Sequence, residues 1–370
     1  MTSASDFLKS SIRRVLYSAR PEVCMDVARW ALEHKLTVME IYPPVLDEVQ
    51  PHIKDDTYAL DAFAHHRQAL ERPQTLTTIE KASIRDAVGF VELPDGQICY
   101  EGNWWLPNLH KHPAYQKCFF LKQRHLKGNW YSFLSMWASE YYHWFHDVLP
   151  RLENTLPHLP SDTRFLINEA PRAYQIESLK AYGITAAQLE LQPSGIRTKV
   201  EHLWFASPVG SENMGSGEIV SRVARRLKKH FLPVKPSLRP RKVYVSRKKA
   251  VSRRVVNESE CQPFLEELGF DMMVLEDIPW HEQVSLFSVT EAIMGPHGAG
   301  LTNMMFSPKN AAVLEIVPRV CIGPHFLILA RQLGHQFQRL YAEPVSDESK
   351  GDMRLSMSQV MALKNNSGIS

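Results

Sequence analysis

The stretch EAIMGPHGAGLTNMMF, residues 291–306, constrains the fold more than any other part of the sequence. A short apolar run leads into three closely spaced glycines, Gly295, Gly298 and Gly300, and a second apolar run follows. A strand, a glycine-rich turn and a helix start in this order are typical of an open α/β sheet, in which ligands bind outside the carboxyl ends of the strands. Unpaired N–H groups and the positive dipole end of a helix favour an anion there.

We therefore predict a phosphate-binding turn, in which backbone N–H groups lie near a diphosphate. The residues expected to present them are His297, Ala299, Gly300 and Leu301. Glycine has no Cβ, so the backbone can approach a ligand closely. The turn matches neither the G-x-G-x-x-G pattern nor a P-loop. A tight strand-to-helix turn without a ligand is the alternative interpretation.

The rest of the second half alternates strands and helices. KVYVS, DMMVLE, EAIMG, AAVLEIV and QFQRLYAE are predicted strands, with helices such as NESECQPFLEELGF and HFLILARQLG between them. The first half has a predicted hairpin around Pro94–Gly96, then the strands YSFLSM, TRFLINE and VEHLWFAS and the helices YQIESLKAYG and SGEIVSRVARRLKKHF. The proline-rich LPVKPSLRP, residues 232–240, separates the halves. This alternation predicts an α/β fold with parallel sheets.

A basic loop follows the first strand of the second half. It contains Arg247, Lys248, Lys249, Arg253 and Arg254. Such a run is often a solvated surface, but guanidinium groups also suit phosphate oxygens, and the loop follows a strand's carboxyl end. In the strand VLEIVP, Glu315 interrupts the apolar run, either at a bent edge position or as an acceptor for a sugar hydroxyl.

The segment YYHWFHDVLPRL carries His143, His146 and Asp147, which share one helix face. One interpretation is histidines satisfied within the core. A metal site is another, although H-x-x-H differs from the i, i+4 spacing of zinc-binding helices. The third is a polar cluster at a cleft, where Asp147 acts as a base and His143 orients it or the substrate. The chain has no Asp-x-Asp, which argues against the usual metal-dependent sugar-nucleotide site.

Composition narrows the classes of protein further. The 370 residues suffice for two domains, and a net charge of +3 gives no reason to expect a nucleic-acid partner. Five scattered cysteines indicate reduced thiols in a cytoplasmic protein. The N-terminus lacks a signal-peptide pattern, and no apolar run is long enough for a transmembrane helix.

Four sequence features together resemble glycosyltransferase family 61. They are YYHWFHDVLPRL, YVSRKKAVSRRVVNE, VLEDIPWHEQVSLFSVTEAIMGPHGAGLTN and AAVLEIVP, in this order within residues 138–318. The resemblance implies an α/β, GT-B-like fold, with two Rossmann-like domains facing across a cleft. It also implies an inverting, metal-independent transfer from a nucleotide sugar, usually a UDP-sugar, to a hydroxyl of a glycan acceptor, with no cofactor.

The strand and helix pattern and the proline-rich segment also divide the chain, in agreement with the resemblance. A lead-in segment would cover residues 1–75, an acceptor-side domain 76–236, a nucleotide-sugar-binding domain 237–345, and a terminal helix 346–370, which in such folds often crosses back to the N-terminal domain.

Motif positions suggest roles for individual residues. Asp147 and His143 would lie on the acceptor side, with His146 a further candidate for the base. The nucleotide-binding candidates are Arg247, Lys248, His297, Gly298, Ala299, Gly300, Leu301, Asn303 and Glu315. For Glu315 the choice is between a ribose contact and structural support. Two other functions share the architecture: a catalytically inactive nucleotide-binding or assembly protein, and a sugar-nucleotide epimerase.

Overall fold

The computed structural model describes residues 22–44, 72–101, 121–209, 216–232, 241–318, 323–346 and 351–362. Within these ranges the chain forms two β-sheets and nine α-helices, so the α/β class is confirmed. All but the first residue of the predicted linker lies outside the described residues.

The N-terminal sheet has ten strands. They are β1 Val23–Cys24, β2 Val38–Tyr42, β3 Gln74–Glu80, β4 Ser83–Arg85, β5 Phe90–Glu92, β6 Ile98–Cys99, β7 Lys122–Ser132, β8 Arg164–Asn168, β9 Leu189–Gln192 and β10 Ile196–Ala206. Strand β10 pairs in parallel with β7, β7 with β8 and β8 with β9. Strands β3 and β4, in contrast, pair antiparallel with β10.

The prediction of a parallel sheet for this half was therefore only partly right. Strands β4, β5 and β6 follow one another through short connections, which require antiparallel pairing because a parallel pair needs a long crossover. The predicted hairpin is confirmed: β5 and β6 pair antiparallel, and Gly96 has a φ of 90° in the turn between them. The predicted strand YSFLSM was largely wrong, because β7 ends at Ser132.

Five α-helices accompany this sheet: α1 Val27–Glu33, α2 Tyr141–His143, α3 Leu149–Thr155, α4 Ala173–Lys180 and α5 Gly217–Phe231. A π-helical segment, Trp144–Val148, joins α2 to α3. We call the continuous helix over residues 141–155 the composite helix. In α5, the apolar side chains of Val220, Val223, Leu227 and Phe231 are buried.

The C-terminal sheet contains β11 Lys242–Val245, β12 Phe270–Met273, β13 Ala292–Pro296, β14 Ala312–Pro318, β15 Gln336–Pro344 and β16 Met353–Arg354. Its helices are α6 Glu258–Glu267, α7 Trp280–Phe287, α8 His325–Gln332 and α9 Met357–Ala362. The strand order is β12-β11-β13-β14-β15-β16, and the first five strands are parallel. This is a doubly wound order, which reverses between β11 and β13, and such a switch point is where these sheets bind ligands.

The two halves of the chain share one hydrophobic cluster. It joins residues of the composite helix and α5, such as Phe145 and Val223, to residues of the C-terminal half, such as Trp280 and Phe306. Phe145 stacks on Trp280 with ring centroids 5.3 Å apart. The composite helix is therefore packed directly against the half of the chain that carries the glycine-rich turn.

The described part of the terminal segment lies with the C-terminal sheet. Val360 of α9 and Leu355 are buried in one cluster with Leu265 of α6. The segment's last eight residues lie outside the described part of the chain. No helix within the described ranges is both long and apolar enough to cross a membrane.

Candidate functional site

Other atoms of the protein lie close to all three glycines of the turn, so that a side chain at any of them would meet a neighbour. A Cβ on Gly295 would lie 2.7 Å from the carbonyl oxygen of Val245, and one on Gly300 would lie 2.8 Å from the Val245 Cγ1. Glycine at both positions therefore lets the end of β13 approach the end of β11. This packing requirement holds whether or not a ligand binds, so it differs from the expected close approach to a ligand.

Gly298 makes room for the Arg247 side chain. A Cβ there would lie 1.9 Å from the Nη1 of Arg247, and its φ of 171° is ordinary extended backbone. The guanidinium of Arg247 donates to the carbonyl of Ser252 at 3.1 Å, and the side chain is partly buried. Burial, together with the nearby charge of Arg253, lowers the pKa of Arg247.

Arg247 and Arg253 form a pair of cations at the switch point. Burial also lowers the pKa of Arg253, whose backbone has a positive φ of 56°. In the described part of the chain, no carboxylate lies within ion-pair distance of either guanidinium. Two neighbouring cations of the same loop form ion pairs: Arg254 pairs with Asp352, and Lys249 pairs with Asp277. Lys248 is exposed at the same loop.

The turn offers fewer backbone donors than the sequence predicted. The N–H of His297 donates to Ile316 O at 2.9 Å, and that of Leu301 donates to Gly298 O at 3.0 Å. These two predicted diphosphate donors were therefore wrong, because the sheet and the first helical turn already use them. The following segment, Ala299–Phe306, is 3₁₀-helical. The N–H groups of Ala299 and Gly300 lie at its unpaired start, and both residues are partly exposed.

Asn303 holds the turn against the composite helix. Its Oδ1 accepts from the hydroxyl of Tyr141 at 2.7 Å, and its Nδ2 donates to Gly300 O at 3.2 Å. The Trp280 Nε1 donates to the same tyrosine oxygen at 2.9 Å. Asn303 is 1% exposed and its side chain faces protein, so its contact with a nucleotide stays a prediction.

Glu315 is enclosed within the sheet and fully buried. Its Oε1 accepts from the Nδ1 of His297 at 2.5 Å, and its Oε2 accepts from the Nε of Arg339 at 2.8 Å. Strand β14 lies between β13 and β15, so the edge interpretation was wrong. The geometry favours structural support over a ribose contact, because the carboxylate orients the imidazole of His297.

On the composite helix, Asp147 lies between two histidines. The His143 Nδ1 donates to Asp147 Oδ2 at 2.7 Å, and the His146 Nδ1 lies 3.7 Å from Asp147 Oδ1. The π-helical segment carries His146 and Asp147, and π segments are frequent at functional sites. Burial opposes ionisation of Asp147, but the hydrogen bonds and charges of the two histidines outweigh it and lower the pKa of Asp147 to about 2.

The exposure of these side chains differs. The side chain of His143 is 17% exposed and that of Asp147 is 24% exposed, whereas that of His146 is 1% exposed and stacks on Tyr142. His143 and Asp147 are thus the members that a substrate can reach. Among the residues that the structure describes, no three His, Cys, Asp or Glu side chains are grouped so as to hold a metal ion.

Most of this arrangement lies in a part of the chain that matches a known family. Residues 141–314 match the family model described as Glycosyltransferase 61. The match begins at the composite helix and ends in β14, so it covers both the Asp147 cluster and the glycine-rich turn. Residues 141–314 are a glycosyltransferase family 61 region.

Three curated relatives of this family 61 region illustrate the likeness. The rice (Oryza sativa subsp. japonica) beta-1,2-xylosyltransferase XAX1 is 37% identical over 97 residues, or 25% of this chain and 16% of that protein. The rice beta-1,2-xylosyltransferase XYXT1 is 25% identical over 201 residues, 49% of this chain and 43% of that protein. The Drosophila melanogaster EGF domain-specific O-linked N-acetylglucosamine transferase is 30% identical over 143 residues, or 37% of this chain and 26% of that protein. The chain thus matches less than half the length of each relative.

His325 of α8 lies beside the Asp147 cluster, and the sequence did not reveal it as part of the candidate site. Its ring centroid lies 5.8 Å from that of Tyr142 in the composite helix. Burial and the charges of His297, His143 and His146 lower its pKa to about 4. Phe326, the next residue, contacts both Tyr142 and His297, with ring centroids 5.5 and 5.0 Å apart. This start of α8 therefore connects the Asp147 cluster to the turn.

Proposed function

We propose that this chain transfers a sugar, with inversion, from a UDP-sugar to a hydroxyl of a glycan acceptor; the UDP-sugar is the donor that the family resemblance implies. The observation that carries the proposal is the juxtaposition of two groups. The accessible His143–Asp147 pair lies beside the Tyr142 ring, which contacts Phe326, and Phe326 in turn contacts His297 of the turn. The Arg247 guanidinium packs against Gly298 of that turn, and neither it nor Arg253 has a carboxylate partner among the described residues. The named relatives are all sugar transferases, which supports the same class of reaction.

The donor's diphosphate would bind at the switch point of the C-terminal sheet. Arg247 and Arg253 would supply charge-assisted hydrogen bonds, and the N–H groups of Ala299 and Gly300 would supply neutral ones. Lys248 would lie at the rim of this site, because its side chain is exposed. These donors would balance the charge that develops on the leaving diphosphate, without requiring a metal ion or another cofactor.

For the proton transfer we assign different roles to His143 and Asp147. A carboxylate with a pKa of about 2 is a weak proton acceptor, so Asp147 is better suited to orient an imidazole than to remove a proton. Because the Nδ1–H of His143 donates a hydrogen bond to Asp147, the Nε2 of the neutral imidazole carries a free lone pair. The same division of roles operates in catalytic triads.

The step then balances as a single displacement. The Nε2 of His143 takes the proton of the acceptor hydroxyl, whose oxygen attacks the anomeric carbon. The bond from that carbon to the diphosphate oxygen breaks, and the diphosphate leaves as an anion held by Arg247 and Arg253. Attack opposite the leaving group inverts the anomeric centre.

A transfer assay in EDTA tests this function. The protein is incubated with UDP-xylose, UDP-arabinose and UDP-N-acetylglucosamine, each with a mixed pool of oligosaccharides, and glycan masses are measured. We expect a mass increase of one sugar residue with at least one donor. UDP binding without transfer or hydrolysis of any donor would favour the inactive nucleotide-binding protein. An isomerised donor formed without an acceptor would favour an epimerase.

A further inference from the structure

Trp137 is an exposed aromatic residue beside the His143–Asp147 pair. It lies in the turn between β7 and the composite helix, and it is 40% exposed, whereas Trp130 and Trp144 on either side of it in sequence are fully buried. Its ring stacks on that of His143, with centroids 6.0 Å apart and an interplanar angle of 25°. The indole therefore packs over the imidazole while the residue as a whole stays exposed.

The turn that carries Trp137 is held by hydrogen bonds. The N–H of Glu140 donates to Trp137 O at 2.8 Å, and the side chain of Gln175 donates to Ala138 O at 3.0 Å. The hydroxyl of Tyr174 donates to Ser139 O at 2.6 Å. The indole is therefore exposed on a fixed turn, which is the state expected of a preorganised binding surface.

We infer that Trp137 is the stacking surface for a neutral sugar ring of the acceptor. This inference rests on the proposed function. A sugar ring has a face of C–H groups and an edge of hydroxyls, and the electron-rich face of an aromatic ring attracts the C–H groups. A sugar stacked on Trp137 lies beside His143, so a hydroxyl at its edge can approach the Nε2 of that histidine.

The chemistry around the ring favours the acceptor sugar over the nucleotide. Trp137 and His143 both belong to the N-terminal half, whereas Arg247 and Arg253, which have no carboxylate partner in the described part of the chain, follow β11 in the other half. The exposed neighbours of Trp137 are Ser139 and Glu140. A hydroxyl and a carboxylate suit the hydroxyl groups of a neutral sugar, and the carboxylate disfavours an anionic ligand.

The test measures glycan binding rather than turnover, because Trp137 also packs against a proposed catalytic group. Wild type, Trp137→Phe, Trp137→Leu and Trp137→Ala are applied with UDP to immobilised xylo-, manno- and gluco-oligosaccharides and N-acetylglucosamine-terminated glycans. We expect wild type and Trp137→Phe to be retained on at least one glycan. Trp137→Leu and Trp137→Ala should bind it about tenfold more weakly, the loss expected for an aromatic stacking contact.

Two controls separate the possible causes of a negative result. Leu32→Ala removes another exposed apolar side chain, on α1, and should leave glycan retention unchanged. The increase in melting temperature caused by UDP should be equal in all variants, and its absence from wild type would count against the proposed function itself. With that increase intact, unchanged retention of Trp137→Leu, or no retention of wild type on any glycan, would overturn the stacking role.

Discussion

The imidazole of His143 donates from Nδ1 to Oδ2 of Asp147 at 2.7 Å, and this contact spans one turn of the composite helix. His146 approaches the other oxygen of the same carboxylate. Two imidazoles therefore stabilise the ionised form of Asp147, which becomes a fixed anion rather than a proton acceptor. We therefore assign the two residues different roles: Asp147 orients the imidazole of His143, and His143 takes the proton of the acceptor hydroxyl.

The first prediction concerns this pair. Asp147→Asn keeps the shape but removes the charge, and we expect transfer to fall by about 100-fold or more, because the base His143 then loses the anion that orients it. His143→Gln should cause a similar loss, and the double variant should be no worse than the more severe single variant, because the two act as a unit. UDP affinity should stay unchanged in all three.

Two other outcomes would assign different roles. Strictly multiplicative losses in the double variant would mean that the two residues act independently. His146→Ala should be milder than either single variant if His146 only packs against Tyr142. Complete loss of transfer in His146→Ala, with a folded protein, would make His146 the base.

The position of this pair could be predicted from sequence, because helical spacing alone puts residues 143, 146 and 147 on one face. Local patterns also predicted the strands of the C-terminal half and the turn at Gly295. The order β12-β11-β13 could not be read in this way, since strand neighbours are set by tertiary packing. It is this order that brings the basic loop beside the turn.

Other parts of the site are distant in sequence or have no local signal. His325 and Arg339 reach the site only through the packing of α8 and β15, so no spacing rule connects them to His297. The predicted backbone donors at His297 and Leu301 were wrong because the sequence does not reveal which N–H groups the sheet uses. Strand β7 begins in the polar run KQRHLKGN, which lacks the apolar alternation that indicates a strand.

The second prediction contrasts two glycines of the turn. Gly298→Ala puts a methyl group against the flexible end of Arg247, so the guanidinium should move and UDP affinity should fall while stability changes little. Gly295→Ala meets the backbone oxygen of Val245, which cannot move away, and should destabilise the protein by about 1–3 kcal/mol. UDP titration measures the affinity of both variants, and urea denaturation measures their stability. Equal losses of stability would contradict it.

The third prediction concerns the buried carboxylate of Glu315. Glu315→Gln removes the charge that pairs with Arg339 and accepts from His297, and breaking a buried ion pair costs about 3–5 kcal/mol of unfolding free energy. Glu291→Gln is the matched control, because Glu291 pairs with Arg241 in an exposed position. That change should cost at most about 1 kcal/mol. Similar urea midpoints for the two variants would show that Glu315 is not a structural anchor.

The fourth prediction is the pH dependence of stability that His325 causes. Its pKa falls from 6.5 to about 4 on folding, so between these values the unfolded chain binds more protons than the folded one. Stability should therefore decrease as the pH falls from 6.5 towards 4, and the His325 penalty should be absent above that range. His325→Asn should reduce this slope in urea denaturation at several pH values. An unchanged slope would mean that His325 titrates normally in the folded protein.

The most direct test of the proposed donor site is calorimetric titration of UDP in EDTA into wild type, Arg247→Ala and Lys249→Ala. Arg247 should give the diphosphate a charge-assisted contact of about 1.5–3 kcal/mol, which corresponds to an affinity loss of about 10- to 150-fold on its removal. Lys249, which is exposed and paired with Asp277, should be replaceable without effect. Wild-type affinity in Arg247→Ala, or no UDP binding by wild type, would contradict the account.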